Sequence, residues 1–339
     1  MPNAAVTLEA CLDRTWESLN SGCWKDVSIN YRYCYSFCSI LKYVNYILSE
    51  VSGNKCTTST DLAQLGDDIV PRELLPGFAP VACCYRPSME AFHRNIFQSK
   101  TPTILQGMID CVHRSYMTGM ILQYKIPLGC MDHWKALHLW RNPEYLLRTA
   151  GVRTVPIEIG SRYTEEDWSQ RLVTFSEFLE SYVTPNKSSK LGYLAQHELF
   201  NQIPELMDDI LIPDYCSFSD TGEEATAPDI NAWLGPAGTI SPLHFDPKNN
   251  LLCQVFGIKQ VVLFHPEETP NLYPYETRLL SNTAQVDPLN PDFKTWSKFK
   301  KAAGTTCTLG PGEILFIPPG WWHHVVALTP SFSVSFWWN

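Results

Sequence analysis

The chain has 339 residues, enough for about two domains, and carries 26 basic against 35 acidic side chains, a net charge of −9. That balance argues against a phosphate-neutralising surface, so nucleic acid is not an expected direct partner. A hydrophobic fraction of 45%, with eleven Trp, supplies a packed core and excludes global disorder.

The first residues, Met1-Pro2-Asn3-Ala4-Ala5, lack the basic-then-apolar pattern of a secretory signal, and none is expected. Apolar stretches such as Ile40–Leu48 are short or broken by charge, so no membrane partner is expected either. Twelve Cys are scattered without a Cys-x-x-Cys pair; the closest are Cys34/Cys38 and the adjacent Cys83/Cys84. The expectation is buried free thiols in a reducing compartment, with a structural zinc site as the minor alternative.

Helical spacing comes first in chain order. Leu8, Cys11, Leu12, Trp16 and Leu19 share one face, and Tyr31, Cys34, Tyr35, Cys38, Leu41, Val44 and Leu48 another. These runs predict a helical N-terminal domain over 1–85 without repeat period or chemistry. A helix with Met89, Phe92 and Ile96 follows, then a short strand at Pro102–Leu105. Asn142-Pro143-Glu144 opens a helix that Gly151 ends. Thr174-Phe175-Ser176-Glu177 is a capping box opening a helix through Tyr182.

From Ile230 the pattern turns to short strands between Gly/Pro turns: Asn231–Leu234, Leu251–Phe256, Gln260–Phe264, Glu313–Ile317, Trp321–Leu328 and Phe332–Trp338. In the last, Phe332, Val334 and Phe336 alternate with Ser333 and Ser335, which predicts one covered face. The chain finishes on that strand, at Asn339, and no tail is expected.

His244-Phe245-Asp246 is the sharpest local signal. Residues two apart on a strand share a face, and an imidazole beside a carboxylate supplies two of the three ligands of a facial triad for non-haem Fe(II). Composition alone produces roughly 0.4 such pairs in a chain like this, so the pair is weak by itself. Glu313–His324 adds a strand, a Pro/Gly turn and a second strand carrying His323 and His324. Only one of these two can face inward, and periodicity leaves the choice open.

With these motifs in view, the chain from about Trp134 to Asn339 resembles the Jumonji C oxygenases. The resemblance rests on Arg153-Thr154-Val155-Pro156-Ile157-Glu158-Ile159-Gly160-Ser161-Arg162-Tyr163 and Gly192-Tyr193-Leu194-Ala195-Gln196-His197. It rests equally on Ile230–Trp233, Gly238–His244, Leu279–Thr283 and Ser331–Trp338, and the stretch from Trp16 to Val27 also resembles a member. It implies an α+β chain. A double-stranded β-helix, the cupin-like jelly roll of the JmjC domain, occupies 86–339 behind the helical N-terminal domain. One departure is Cys111–Met131, which the family pattern lacks and which shows little helical or strand pattern: a surface insertion at 111–131, or a retained non-coding segment.

The resemblance implies Fe(II), 2-oxoglutarate and O2 as cofactor and co-substrates. His244, Asp246 and His323 would bind the metal, with His324 turned away. Lys259 and Tyr193 would hold the distal carboxylate of 2-oxoglutarate, lined further by Ser241, Asn250 and Trp337. A strand lysine usually faces solvent, and Ser241 before Pro242 can simply shape a turn; the family pattern is what favours function at both.

The implied substrate is a protein side chain, most directly arginine hydroxylated at C3 in a basic segment. Glu158 and Trp233 match substrate-pocket positions; a carboxylate pairs a guanidinium bidentately and an indole stacks on it. The plainer reading of Glu158 is a strand-edge acid and of Trp233 a core aromatic. Demethylation of histone methyl-lysine on the same iron chemistry and a non-catalytic cupin scaffold are the alternatives. Resemblance also implies a chromatin role in the nucleus, with a cytoplasmic pool besides.

Overall fold

The computed structural model describes residue 65, residues 75–107 and residues 131–339 with gaps at 161, 166, 185–189 and 221–226; over 112–117 and 120–125 it describes the backbone alone. The helices expected before residue 65 lie outside the described residues.

The described residues form sixteen strands, in chain order. The early ones are β1 (Ala79–Pro80), β2 (Ala82–Tyr85), β3 (Thr103–Gln106), β4 (Val112–Met117) and β5 (Met120–Lys125). Next come β6 (Thr154–Ile159), β7 (Ser169–Thr174), β8 (Gly192–His197), β9 (Asp229–Gly235), β10 (Ile240–His244) and β11 (Asn249–Phe256). The last are β12 (Lys259–Phe264), β13 (Gly304–Leu309), β14 (Ile314–Ile317), β15 (Trp322–Ala327) and β16 (Ser331–Trp338). Fourteen of them build a five-stranded sheet, β1-β13-β12-β15-β10, and a nine-stranded sheet, β2-β3-β14-β11-β16-β9-β8-β6-β7.

Three apolar layers hold these sheets. Leu252, Ile317, Val261, Leu309 and Val325 fill the space between them. Leu251, Val334, Phe336, Trp134 and Trp140 lie between the larger sheet and its helices, where Trp140 and Phe332 sit 4.5 Å apart between ring centres. Leu243, Val262, Phe264 and Trp322 cover the far side of the smaller sheet.

Cap chemistry sets the helices. Asn142 accepts from the Glu144 N–H and opens Pro143–Ala150, and Thr174 accepts from the Glu177 N–H and opens Phe175–Phe178. Gly151 ends the first of these helices with right-handed rather than left-handed torsions. A Cβ there would meet the Leu147 carbonyl at 2.3 Å, so close approach rather than torsion requires glycine.

Three expectations are corrected. The barrel begins before residue 86, because β1 pairs with β13 and β2 with β3, both in parallel. The segment expected to lack a pattern carries two strands: β4 and β5 form an antiparallel ladder of their own, joined to neither barrel sheet. Third, both faces of β16, a central strand between β11 and β9, are covered, one by the helices and the other by the barrel interior. Its phenylalanines pack under the helices, while Ser333 and Ser335 turn into the barrel and are fully buried.

Among the described residues no helix is long and apolar enough to cross a membrane, and Cys83, Cys84, Cys216, Cys253 and Cys307 form no disulfide.

Candidate metal centre and its two cavities

Residues directly opposite on paired strands share a face, and this register builds the site. His244 pairs with His323 and Ser241 with Val325, while His323 also pairs with Leu263 of the barrel interior. Asn250 pairs with Trp337 and Ile317, and Lys259 with Leu309 and Ala327. His324 pairs with Val262, which belongs to the layer outside the barrel.

The His244, Asp246 and His323 ligand atoms lie within 4.8 Å of one another, and no other such cluster exists among the described residues. Asp246 Oδ2 stands 3.5 Å from His323 Nε2 and 3.8 Å from His244 Nε2. His244 Nδ1 lies 2.7 Å from the Pro242 carbonyl, and His323 Nδ1 lies 3.0 Å from the Trp321 carbonyl. A carbonyl only accepts, so each Nδ1 carries the proton and each Nε2 presents a lone pair. Burial, with the neighbouring His323, pushes the His244 pKa down to about 4 and keeps it neutral. Burial opposes the Asp246 carboxylate, but the His323 and His244 imidazoles beside it outweigh that and hold its pKa below the ordinary value.

Two cavities meet here. The inner one, of about 360 Å³, is lined by all three of these side chains together with Tyr193, Trp233, Ser241, Asn250, Lys259 and Trp337. Lys259 is 2% exposed. Burial brings its pKa down to about 7. Its Nζ donates to Tyr193 Oη over 3.3 Å. Burial raises the Tyr193 pKa, which keeps the phenol a donor. Asp246 Oδ2, Asn250 Oδ1 and Trp337 Nε1 are buried with no hydrogen-bond partner. Each such orphan costs about 1–3 kcal/mol, so three in one cavity fit a site made for a polar occupant, and the ammonium with the Trp337 N–H suits an anionic group on it. The donor set of two neutral imidazoles and one carboxylate fits Fe(II) with open positions.

The outer cavity, of about 690 Å³, shares Tyr193, Trp233, Ser241, His244 and Asp246 and adds Glu158, Tyr163, Gln196, Leu279 and Thr283. Its rim is open, with Leu279 92% exposed. Glu158 pairs with Tyr193 across β6 and β8. Burial raises the Glu158 pKa, opposed by the Trp168 indole. Trp233 Nε1 donates to Ser335 Oγ, which fixes the indole between the two cavities.

The profile of a family described as "Cupin-like domain" matches residues 126–339. The chain belongs to the cupin-like JmjC family. The Danio rerio protein named Lysine-specific demethylase 8 is 39% identical over 368 positions, covering 100% of this chain and 88% of that protein. Jumonji C domain-containing protein 5 of Drosophila melanogaster is 38% identical, covering 97% of this chain and 86% of its own length. Lysine-specific demethylase JMJ30 of Arabidopsis thaliana is 48% identical over 66% of this chain and 53% of its own length. This JmjC chain is therefore an enzyme, a 2-oxoglutarate-dependent oxygenase.

Every JmjC site residue expected from the sequence lines one cavity or both. Sequence reasoning missed Tyr163, whose hydroxyl lies 3.2 Å from Thr283 Oγ1 at the outer cavity, although it closes the motif that begins at Arg153. It also missed Gln196, which has φ of 46° where the β8–β9 register shifts. Bulges of this kind re-aim side chains beside sites and leave no mark in hydrophobic spacing.

Proposed function

We propose that this enzyme hydroxylates arginine side chains of protein substrates at C3, with Fe(II) held by His244, Asp246 and His323. The observation that carries the reading is the sorting of charge between the two cavities. The inner one holds the buried cation Lys259, and the outer one holds the Glu158 carboxylate on its wall beside the Trp233 indole. An anionic co-substrate suits the first and a guanidinium the second.

In this reading Lys259 and Tyr193 bind the distal carboxylate of 2-oxoglutarate, and Ser241, Asn250 and Trp337 complete its lining. When bound, Fe(II) and 2-oxoglutarate supply oxidative decarboxylation to succinate and CO2, with the second oxygen atom of O2 entering a C–H bond. Glu158 and Trp233 orient the guanidinium so that its chain points past Ser241 toward His244 and Asp246. The apolar walls Leu252, Ile317 and Val325 exclude water.

Methyl-lysine demethylation is the second reading, favoured by the names of the Danio rerio and Arabidopsis thaliana relatives. A methylammonium is best held by an aromatic cage of little formal charge, whereas the outer cavity offers a carboxylate.

Mass spectrometry on arginine and methyl-lysine peptides separates the two. The first reading gives one added oxygen on arginine, and the second gives a lost methyl group with formaldehyde. Succinate with neither product contradicts both. We extend the reading to nuclear residence with a cytoplasmic pool, which imaging of the tagged full chain checks.

A further inference from the structure

The backbone between two of the metal-site side chains is held by a residue far along the chain. Strand β10 ends at His244, so Phe245 and Asp246 lie beyond its ladder with β15, whose register already shifts between Ser241 and His244. The Phe245 N–H donates to the Asn282 carbonyl over 3.0 Å. The Asn282 side-chain Nδ2 donates back to the Phe245 carbonyl over 3.0 Å. One residue thus engages both peptide units that link His244 to Asp246. The next carbonyl, of Asp246, accepts from Gly320 N–H at 2.8 Å, in the turn before the strand that carries His323.

We propose that Asn282 is a positioning residue that fixes the mutual orientation of the His244 and Asp246 side chains; the proposal rests on reading those two, with His323, as the metal ligands. A role confined to loop stability is the competing account, and the bonding pattern argues against it. The loop is already closed by backbone hydrogen bonds from Tyr275 N to Thr283 O at 2.9 Å, Thr283 N to Leu280 O at 2.8 Å and Gln285 N to Tyr273 O at 2.9 Å. Ala284 N to Leu243 O at 2.7 Å ties it to the ligand strand. The Asn282 amide enters none of these bonds. Its one side-chain hydrogen bond goes to the peptide between the ligands. A three-donor site needs its groups held to a fraction of an ångström, and groups that orient ligands change metal affinity by about 10–100-fold.

The test is titration of the metal-free protein with Co(II), read by the visible ligand-field absorption, alongside the melting temperature of each metal-free variant. Asn282→Ala should weaken Co(II) binding by about 10–100-fold and alter the band shape, with melting almost unchanged. Asn282→Leu, of similar size but without a donor, should do the same and serves if the alanine variant is unstable. Glu276→Ala, exposed on the same loop and outside both cavities, should bind Co(II) as the unaltered protein does. Affinity within twofold of the unaltered protein in both Asn282 variants overturns the proposal, as does a fall in melting temperature large enough to explain the lost affinity. Failure of the underlying site reading looks different: the unaltered protein takes up no Co(II), or His244→Ala binds it undiminished.

Discussion

Lys259 Nζ donates to Tyr193 Oη over 3.3 Å inside the barrel, and no carboxylate among the described residues reaches the ammonium. A buried lysine without a counter-charge favours its neutral form. Here burial lowers the pKa from 10.5 to about 7. Between those values the unfolded chain binds the extra proton, so this group's contribution makes the empty protein more stable as pH rises from about 7 toward 10.5. Binding of 2-oxoglutarate has the opposite demand, because its carboxylate needs the ammonium. The KM for 2-oxoglutarate should therefore climb above pH 7, approaching about tenfold per pH unit. Lys259→Met should raise it by roughly 30-fold or more, the effect of removing one partner of a buried charge pair, and flatten that profile. A steep profile surviving in Lys259→Met would place the titrating group elsewhere.

The two adjacent histidines should behave oppositely. His323 faces the barrel and His324 faces the layer beside Val262. His323→Leu should abolish metal retention and turnover. His324→Leu should keep both within a few-fold and leave the melting temperature equal or higher, because both ring nitrogens of His324 are buried without partners and an apolar replacement removes that penalty. Metal analysis of the two purified variants checks this, and equal losses would contradict the assignment.

Alternation shows that only one of this pair can point inward; the family resemblance names His323, and the strand pairing sets it opposite Leu263 of the barrel interior. Much of the barrel was legible for the same reason: each apolar run from Ile230 onward became a strand. The serine face of β16 was misread because small polar residues look alike whether they meet water or a barrel interior. There Ser333 bonds Gln254 Oε1 and Ser335 accepts from Trp233. Lys259 was visible only through family resemblance, since nothing in its run tells a buried strand lysine from an exposed one. The Asn282 clamp joins residues distant in sequence and leaves no spacing signal at all.

Glu158→Gln preserves shape and removes charge. Under the arginine reading it should raise the KM for an arginine peptide by about 10–100-fold, the range for hydrogen bonds to charged groups. Decarboxylation of 2-oxoglutarate without peptide should be unaffected. Loss of both activities together would assign Glu158 to the fold instead of the substrate.

Gly257 stands two residues before Lys259 with φ of 73°, and a Cβ there would meet the Pro330 carbonyl at 2.0 Å. Gly257→Ala combines a left-handed torsion with backbone overlap, so it should destabilise by at least about 2 kcal/mol. The displaced β12 should also weaken 2-oxoglutarate binding. Denaturant unfolding measures the first effect; an unchanged midpoint would contradict it.

The most direct measurement is anaerobic titration of the metal-free protein with Fe(II) in the presence of 2-oxoglutarate, followed by charge-transfer absorption. The account predicts saturation at one ferrous ion per chain, and loss of the signal in His244→Ala, Asp246→Ala and His323→Ala while each variant stays folded. Absence of saturable binding, or binding that survives those three substitutions, would contradict it.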